Sequence, residues 1–251
     1  MAGACQGAGA APPTGGESST GAEHCGLVAG VVLAAGALSW LGRNKLLLDL
    51  GGETLVRRTV RRVVAAGLDP VLVVVGHQAE RVTAELAGLP CRPVVNPDHA
   101  SGQPSSVKAG IAAVPAEAVA AVVALADMPL VTAEMIAALV DCYRRSVGGE
   151  ILAVVSDYNG VTTPPTLYDR ALFFELAAMG GPGWARRLVA RHWERAVTLL
   201  WPPEALADLD DEADLLRLRD RLAAPAPPAP LALEAEIAPE IPAPAGLAAA
   251  E

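Results

Sequence analysis

A loop with two glycines and a lysine, LAAGALSWLGRNK from Leu33 to Lys45, follows directly on an apolar run. Gly36 and Gly42 can turn with positive φ and let the backbone approach a ligand, and Lys45 adds a mobile positive charge, so the loop suits a triphosphate. Its spacing, G-x5-G-x2-K, is neither the Walker loop nor G-x-G-x-x-G. Asp127 ends the apolar run AVVALAD, where a carboxylate faces the crevice and can hold Mg²⁺ together with substrate phosphates and waters. The plainer readings are a turn-forming aspartate before Met128 and Pro129, and a solvated lysine at 45. In GQPSSVKAG, Ser105 and Ser106 open a helix whose first amides can accept an anion or a base edge; an ordinary N-cap is the alternative. Asp208 and Asp210 precede the last helix and offer either a second acid for the metal or an acidic first turn. His77 and His99 are isolated loop residues. No Ser-His-Asp order and no metal-spaced histidine cluster supports hydrolase chemistry.

The elements that must position these residues alternate apolar runs with amphipathic stretches, as βα units of a parallel sheet do. Strands are expected at Leu27 to Ala35, Pro70 to Gly76, near Val94, at Ala121 to Asp127, Ile151 to Ser156 and Val197 to Leu200. Helices are expected at Glu53 to Gly67, Ala79 to Ala87, Ser105 to Val114, Thr132 to Arg145, Asp169 to Ala178, Gly183 to His192 and Asp211 to Leu222. In the first of these, Arg57, Arg58, Arg61 and Arg62 lie opposite the apolar stripe, a pattern that favours a solvated face or a subunit contact over a phosphate patch. The fold class is therefore α/β: a single doubly wound, mostly parallel sheet flanked by helices.

With 52% hydrophobic residues in 251, but only two Phe, three Tyr and four Trp, the core must be built from Ala, Val and Leu. The net charge of −9 argues against a nucleic-acid partner, which needs a basic footprint. Residues 1–25, rich in Gly, Ala, Ser and Thr, and the Pro/Ala-rich residues 225–251, which carry four Glu and no basic residue, read as disordered tails around a domain at 26–224. Cys5, Cys25, Cys91 and Cys142 have no CxxC spacing, so neither a zinc site nor a disulfide framework is expected. No run is long and apolar enough to span a membrane and the start lacks signal-peptide features, so a cytoplasmic location is expected.

The loop resembles the signature of the MobA-like nucleotidyltransferases, LAAGxSxRMGxxK, and is most similar to the molybdenum cofactor cytidylyltransferase branch. Further stretches fall in family order between Leu27 and Leu222: KLLLDLGGETLVRRTV, VVNPDHASGQPSSVKAG, ADMPLVT, PPTLYDRALFFEL and DLDDEADL. The resemblance implies a Rossmann-like nucleotidyltransferase fold. It also implies transfer of a nucleoside monophosphate, CMP from CTP, to the phosphate of a molybdopterin-type acceptor, with a molybdoenzyme as the user of the product. In that reading Leu33, Ala34, Ala35, Gly36, Gly42, Arg43, Lys45, Ser105 and Ser106 bind the nucleotide. Lys45 and Asp127 are catalytic, and Asp127 holds Mg²⁺ with Asp208 or Asp210. The chain departs from the family at Leu38 and Trp40, which replace a serine and an arginine, at Ala126, which replaces a glycine, at Pro164, which replaces a histidine, and at Gly180 to Trp184, which replace a glycine-aspartate turn. Guanylyl transfer, transfer to a sugar phosphate, a non-catalytic nucleotide-binding accessory and a generic α/β binding module are the alternatives.

Overall fold

The computed structural model describes residues 26–36, 39–40, 43–146, 150–181, 183–206 and 212–223. Both expected tails, together with Leu38, Gly42, Asp208 and Asp210, lie outside them. β1 (Leu27–Ala34) is a nearly all-buried strand, as the run LVAGVVLA requires. It leads through β2 (Ser39–Trp40) and β3 (Arg43–Asn44), a short antiparallel pair, to α1 (Leu55–Ala65). Then come β4 (Val71–Val75), α2 (Ala79–Glu85), β5 (Arg92–Val95), α3 (Gln103–Ala112), β6 (Ala118–Leu125) and α4 (Ala133–Arg145). The remainder is β7 (Ala153–Tyr158), β8 (Val161–Thr162), β9 (Thr166–Asp169), α5 (Phe173–Ala178), α6 (Trp184–Arg191), β10 (Ala196–Leu200) and α7 (Glu212–Ala223).

Among the described residues, one sheet runs in the order β10-β7-β9-β6-β1-β4-β5, with β8 paired to β7. The β1–β4, β1–β6, β4–β5 and β7–β10 pairs are parallel, while β9 lies antiparallel between β6 and β7. The sequence reading places no strand at β9; TLYD is four residues long, and its pairing with two distant neighbours supplies what local periodicity does not. The helix expected from Ser105 starts two residues earlier, at Gln103, with Pro104 in its first turn, where a missing N–H costs nothing.

Alternation along β1 sends Val28, Val32 and Ala34 to one core, against α1 and α4, and Ala29, Val31 and Leu33 to the other, against α3, α5 and α6. Gly110 lets α3 close on β1, because a Cβ there would stand 2.4 Å from Val31 Cγ1. Of the α1 arginines, Arg61 is exposed as expected of a solvated face, while Arg57, Arg58 and Arg62 are half-buried and held by neighbouring segments. Arg57 donates to the Glu85 and Ala87 carbonyls (2.7 and 2.9 Å), and Arg58 and Arg61 pair with Glu53 at 3.0 and 2.7 Å. Arg62 donates to the Val131 carbonyl at 2.7 Å and also to that of Pro129. Helical spacing marks a polar side but not what covers it; here neighbouring loops turn their carbonyls to it. Burial, with Arg58 and Arg61 beside it, brings the Arg62 guanidinium down to about 10. Among the described residues no helix is long and apolar enough to cross a membrane.

Candidate active site

Strand order reverses at β1, which has β4 on one side and β6 on the other, so the crevice for a ligand lies beyond the carboxyl ends of β1 and β6. Of the expected site residues, Leu33 to Gly36 and Asp127 lie at that edge. Leu33, Ala34 and Ala35 are buried and carry the backbone to the exposed Gly36. The Ala126 N–H donates to the Leu33 carbonyl (3.1 Å), and the Thr59 hydroxyl of α1 donates to the Ala126 carbonyl (3.0 Å). Both backbone groups of Ala126, the residue before Asp127, are therefore pinned, and Asp127 sits half-buried two residues past the last residue of β6. Arg62 holds the next turn at its Pro129 and Val131 carbonyls.

On the other side of β1, the His77 N–H donates to the Ala35 carbonyl (3.0 Å). Gly76 allows this approach: a Cβ there would lie 2.5 Å from His99 Cβ and 2.9 Å from the Ala35 oxygen. His99 thus packs over the end of β4 rather than standing free in its loop. Asn96, buried at the end of β5, donates from Nδ2 to Ser105 Oγ (2.9 Å) and Ser106 Oγ (3.0 Å). Its Oδ1 accepts the Asp98 N–H at 3.0 Å, and the Ser105 hydroxyl lies within reach of the Asp98 and Gly102 carbonyls at 2.9 and 2.8 Å. The two serines are thus brought together as expected, with their hydroxyls engaged in fixing the loop before α3. Asn96, the hub, escaped sequence reasoning because an Asn-Pro pair in a loop reads as a turn; the signal was its position directly after an apolar strand.

Lys45 is half-buried at the head of a short 3-10 turn capped by Asn44, whose Oδ1 accepts the Leu46 N–H at 3.0 Å. Among the described residues Lys45 has no ion pair. The short β2–β3 pair joins Ser39 to Asn44 and Trp40 to Arg43, and so closes the signature loop beside Lys45. Asp208 and Asp210 lie outside the described residues, and no cluster of three metal-ligating side chains occurs among those described. Mg²⁺ does not need one, since it is usually bound by one or two carboxylates plus phosphates and water, a donor set that Asp127 suits.

Next to this edge a cavity of about 600 Å³ opens on the α3, α5 and α6 face. Leu33, Leu125 and Val155 form its floor, the α3 start at Gly102 to Pro104 one wall, Thr162 to Pro164 another, and Trp184 to Arg186 of α6 the rim. Thr162 to Pro164 is held down by the Thr163 N–H on the Ser156 carbonyl (3.2 Å) and the Ser156 hydroxyl on the Pro165 carbonyl (2.6 Å). Tyr168 of β9 also lines it; burial pushes its phenol far above the usual value, so it serves as a neutral hydroxyl.

The MobA-like NTP transferase domain model matches residues 30–196. The chain is 42% identical over 113 residues to the bifunctional IPC transferase and DIPP synthase of Rubrobacter xylanophilus, a match covering 43% of this chain and a quarter (25%) of that protein's length. It is 31% identical over 204 residues to the purine catabolism protein PucB of Bacillus subtilis, covering 75% of this chain and 95% of that one. With the "Probable molybdenum cofactor guanylyltransferase" of Opitutus terrae it shares 33% identity over 141 residues, 56% of this chain and 66% of the other. Among solved structures, Rv0371c from Mycobacterium tuberculosis superposes with a TM-score of 0.66 at 27% identity, over 78% of this chain and 98% of that one. Fold, edge geometry and sequence agree: the chain belongs to the MobA-like NTP transferase family.

Proposed function

We propose that this nucleotidyltransferase moves CMP from CTP to the phosphate of a molybdopterin-type acceptor and releases pyrophosphate. The observation that carries the reading is that the Gly36 turn and Asp127 follow two neighbouring strands, β1 and β6, at one sheet edge, with the α3 start braced by Asn96 beyond β5. Ala35, giving LAAG rather than LAGG, favours cytidylyl over guanylyl transfer, and the name of the Opitutus terrae relative supports the acceptor class.

In the reaction, an acceptor phosphate oxygen attacks the α-phosphorus of the nucleotide. The new P–O bond forms as the bond from the α-phosphorus to the bridging oxygen breaks, and that oxygen leaves with pyrophosphate. Such a transfer needs alignment and charge neutralisation more than covalent help. The segment Gly36 to Lys45 would hold the triphosphate, with Arg43 and Lys45 as its cations, and the α3 start would seat the nucleoside side. Asp127, with Asp208 or Asp210, would hold Mg²⁺, which when bound neutralises phosphate charge.

The test is equilibrium binding of CTP, GTP, UTP and ATP with and without Mg²⁺, followed by pyrophosphate release with a molybdopterin acceptor. Selective, Mg²⁺-dependent CTP binding with turnover is expected. Tight CTP binding without turnover would favour the accessory-protein reading, for which Trp40 in place of the family arginine is the supporting residue.

A further inference from the structure

β10 forms one border of the sheet and, among the described residues, pairs only with β7. The Trp201 N–H donates to the Asp157 carbonyl at 2.8 Å, so backbone alternation turns Val197, Leu199 and Trp201 toward β7. The N–H and C=O groups of Ala196, Thr198 and Leu200 then point away from the sheet, and no other described backbone segment takes them. A border strand usually carries a charge, a proline or a bulge that keeps other strands away. AVTLL has none of these: its register with β7 is unbroken over five residues, and its side chains are apolar apart from one threonine. Leu200, at its end, is 58% exposed.

The strand that fits this border is its own copy. Antiparallel pairing of two β10 strands, on a two-fold axis at Thr198, sets outward position against outward position throughout. Thr198 meets Thr198 of the second copy, a favourable cross-strand pair, and at either end Ala196 of one copy meets Leu200 of the other, a small side chain against a large exposed one. These pairs exchange about six backbone hydrogen bonds. The strand carries no charge that would repel its copy. Arg195 before it and Glu204 beyond it are exposed and opposite in sign, and the two-fold axis brings the Arg195 of each copy toward the Glu204 of the other. Pro202, the next outward position, ends the ladder. Because both copies use the same border, the assembly closes at two.

We infer that β10 is the contact surface of a homodimer, in which two copies join their sheets edge to edge and antiparallel about Thr198. A contact built on one short strand is modest in area, so the dimer exchanges with monomer as concentration changes. No residue of the proposed triphosphate and metal site lies on β10, and the dimer stands or falls independently of the nucleotidyl-transfer reading.

The test is sedimentation velocity on the full chain between about 1 and 100 μM, where monomer should give way to dimer as concentration rises. Leu200→Lys, an exposed change that leaves the core intact, should raise the dissociation constant by about tenfold or more, since it sets a charge on the border. Phe174→Lys, at a side chain that is 86% exposed on α5, should leave it unchanged. In the wild-type chain, amide hydrogen exchange should slow at Ala196, Thr198 and Leu200 as the dimer forms, and stay the same at Val95 on the opposite border. A chain that remains monomeric up to about 100 μM would overturn the inference and leave this border to a strand of another protein. A dimer as tight in Leu200→Lys as in the wild type, an equal weakening in Phe174→Lys, or exchange at 196, 198 and 200 that does not respond to concentration would overturn it as well.

Discussion

Asp127 is held by backbone, and what holds it is Thr59. Its hydroxyl reaches the Ala126 carbonyl from another element, in a site where both groups are buried. Thr59→Val should cost about 1–2 kcal/mol, because a buried carbonyl loses its partner, and should lower kcat more than it raises KM; thermal melts and steady-state pyrophosphate release measure the two effects. Asp127→Asn keeps the volume and removes the charge, so Mg²⁺-dependent turnover should fall by on the order of 100-fold or more while the melting temperature stays within a few degrees. Undiminished pyrophosphate release by that variant would remove Asp127 from the metal assignment.

At the scale of elements, β4 and the loop after β5 are spaced by a single hydrogen atom. Gly76→Ala must displace the His99 ring or the Ala35 carbonyl, so it should cost about 1–3 kcal/mol and weaken CTP binding through the β1 turn. The start of α1 depends on Glu53, whose carboxyl is held below its ordinary value of 4.5 chiefly by the hydrogen bond from Arg61, with Arg58 adding to it. A lowered folded-state value means that the contribution is present above about pH 4.5 and is lost as pH falls through the lowered value. Glu53→Gln should therefore reduce stability at pH 7 by up to about 1 kcal/mol and leave it unchanged at pH 2, which denaturant titrations at the two pH values would show. The strands β1, β4 and β6 were legible because a buried parallel strand must be apolar throughout, and the residue past its end must then face the crevice. β9 was not, since Thr166 and Tyr168 are recruited by pairing with β6 and β7 and not by their own pattern. Nor was Asn96 as the brace of Ser105 and Ser106, because a hydrogen-bond hub is a property of three segments meeting, and no one of them announces it.

For the whole molecule, one sheet carries both cores: α1 and α4 cover one face, and α3, α5 and α6 the other. Neither face can lose its helices without exposing strands shared with the other. Heat unfolding should accordingly be a single transition, with coincident far- and near-ultraviolet dichroism curves and equal calorimetric and van't Hoff enthalpies; two separated transitions would contradict a common core. The same sheet ends at β5 in a strand of only four residues. The Asn96 N–H points inward, to the Val75 carbonyl, so alternation turns positions 93 and 95 outward. Position 93 is proline and has no N–H to give. Val95 is then the only outward amide donor in β5, too few for a ladder, so this border resists strand-on-strand aggregation between copies even though Val95 itself is 65% exposed.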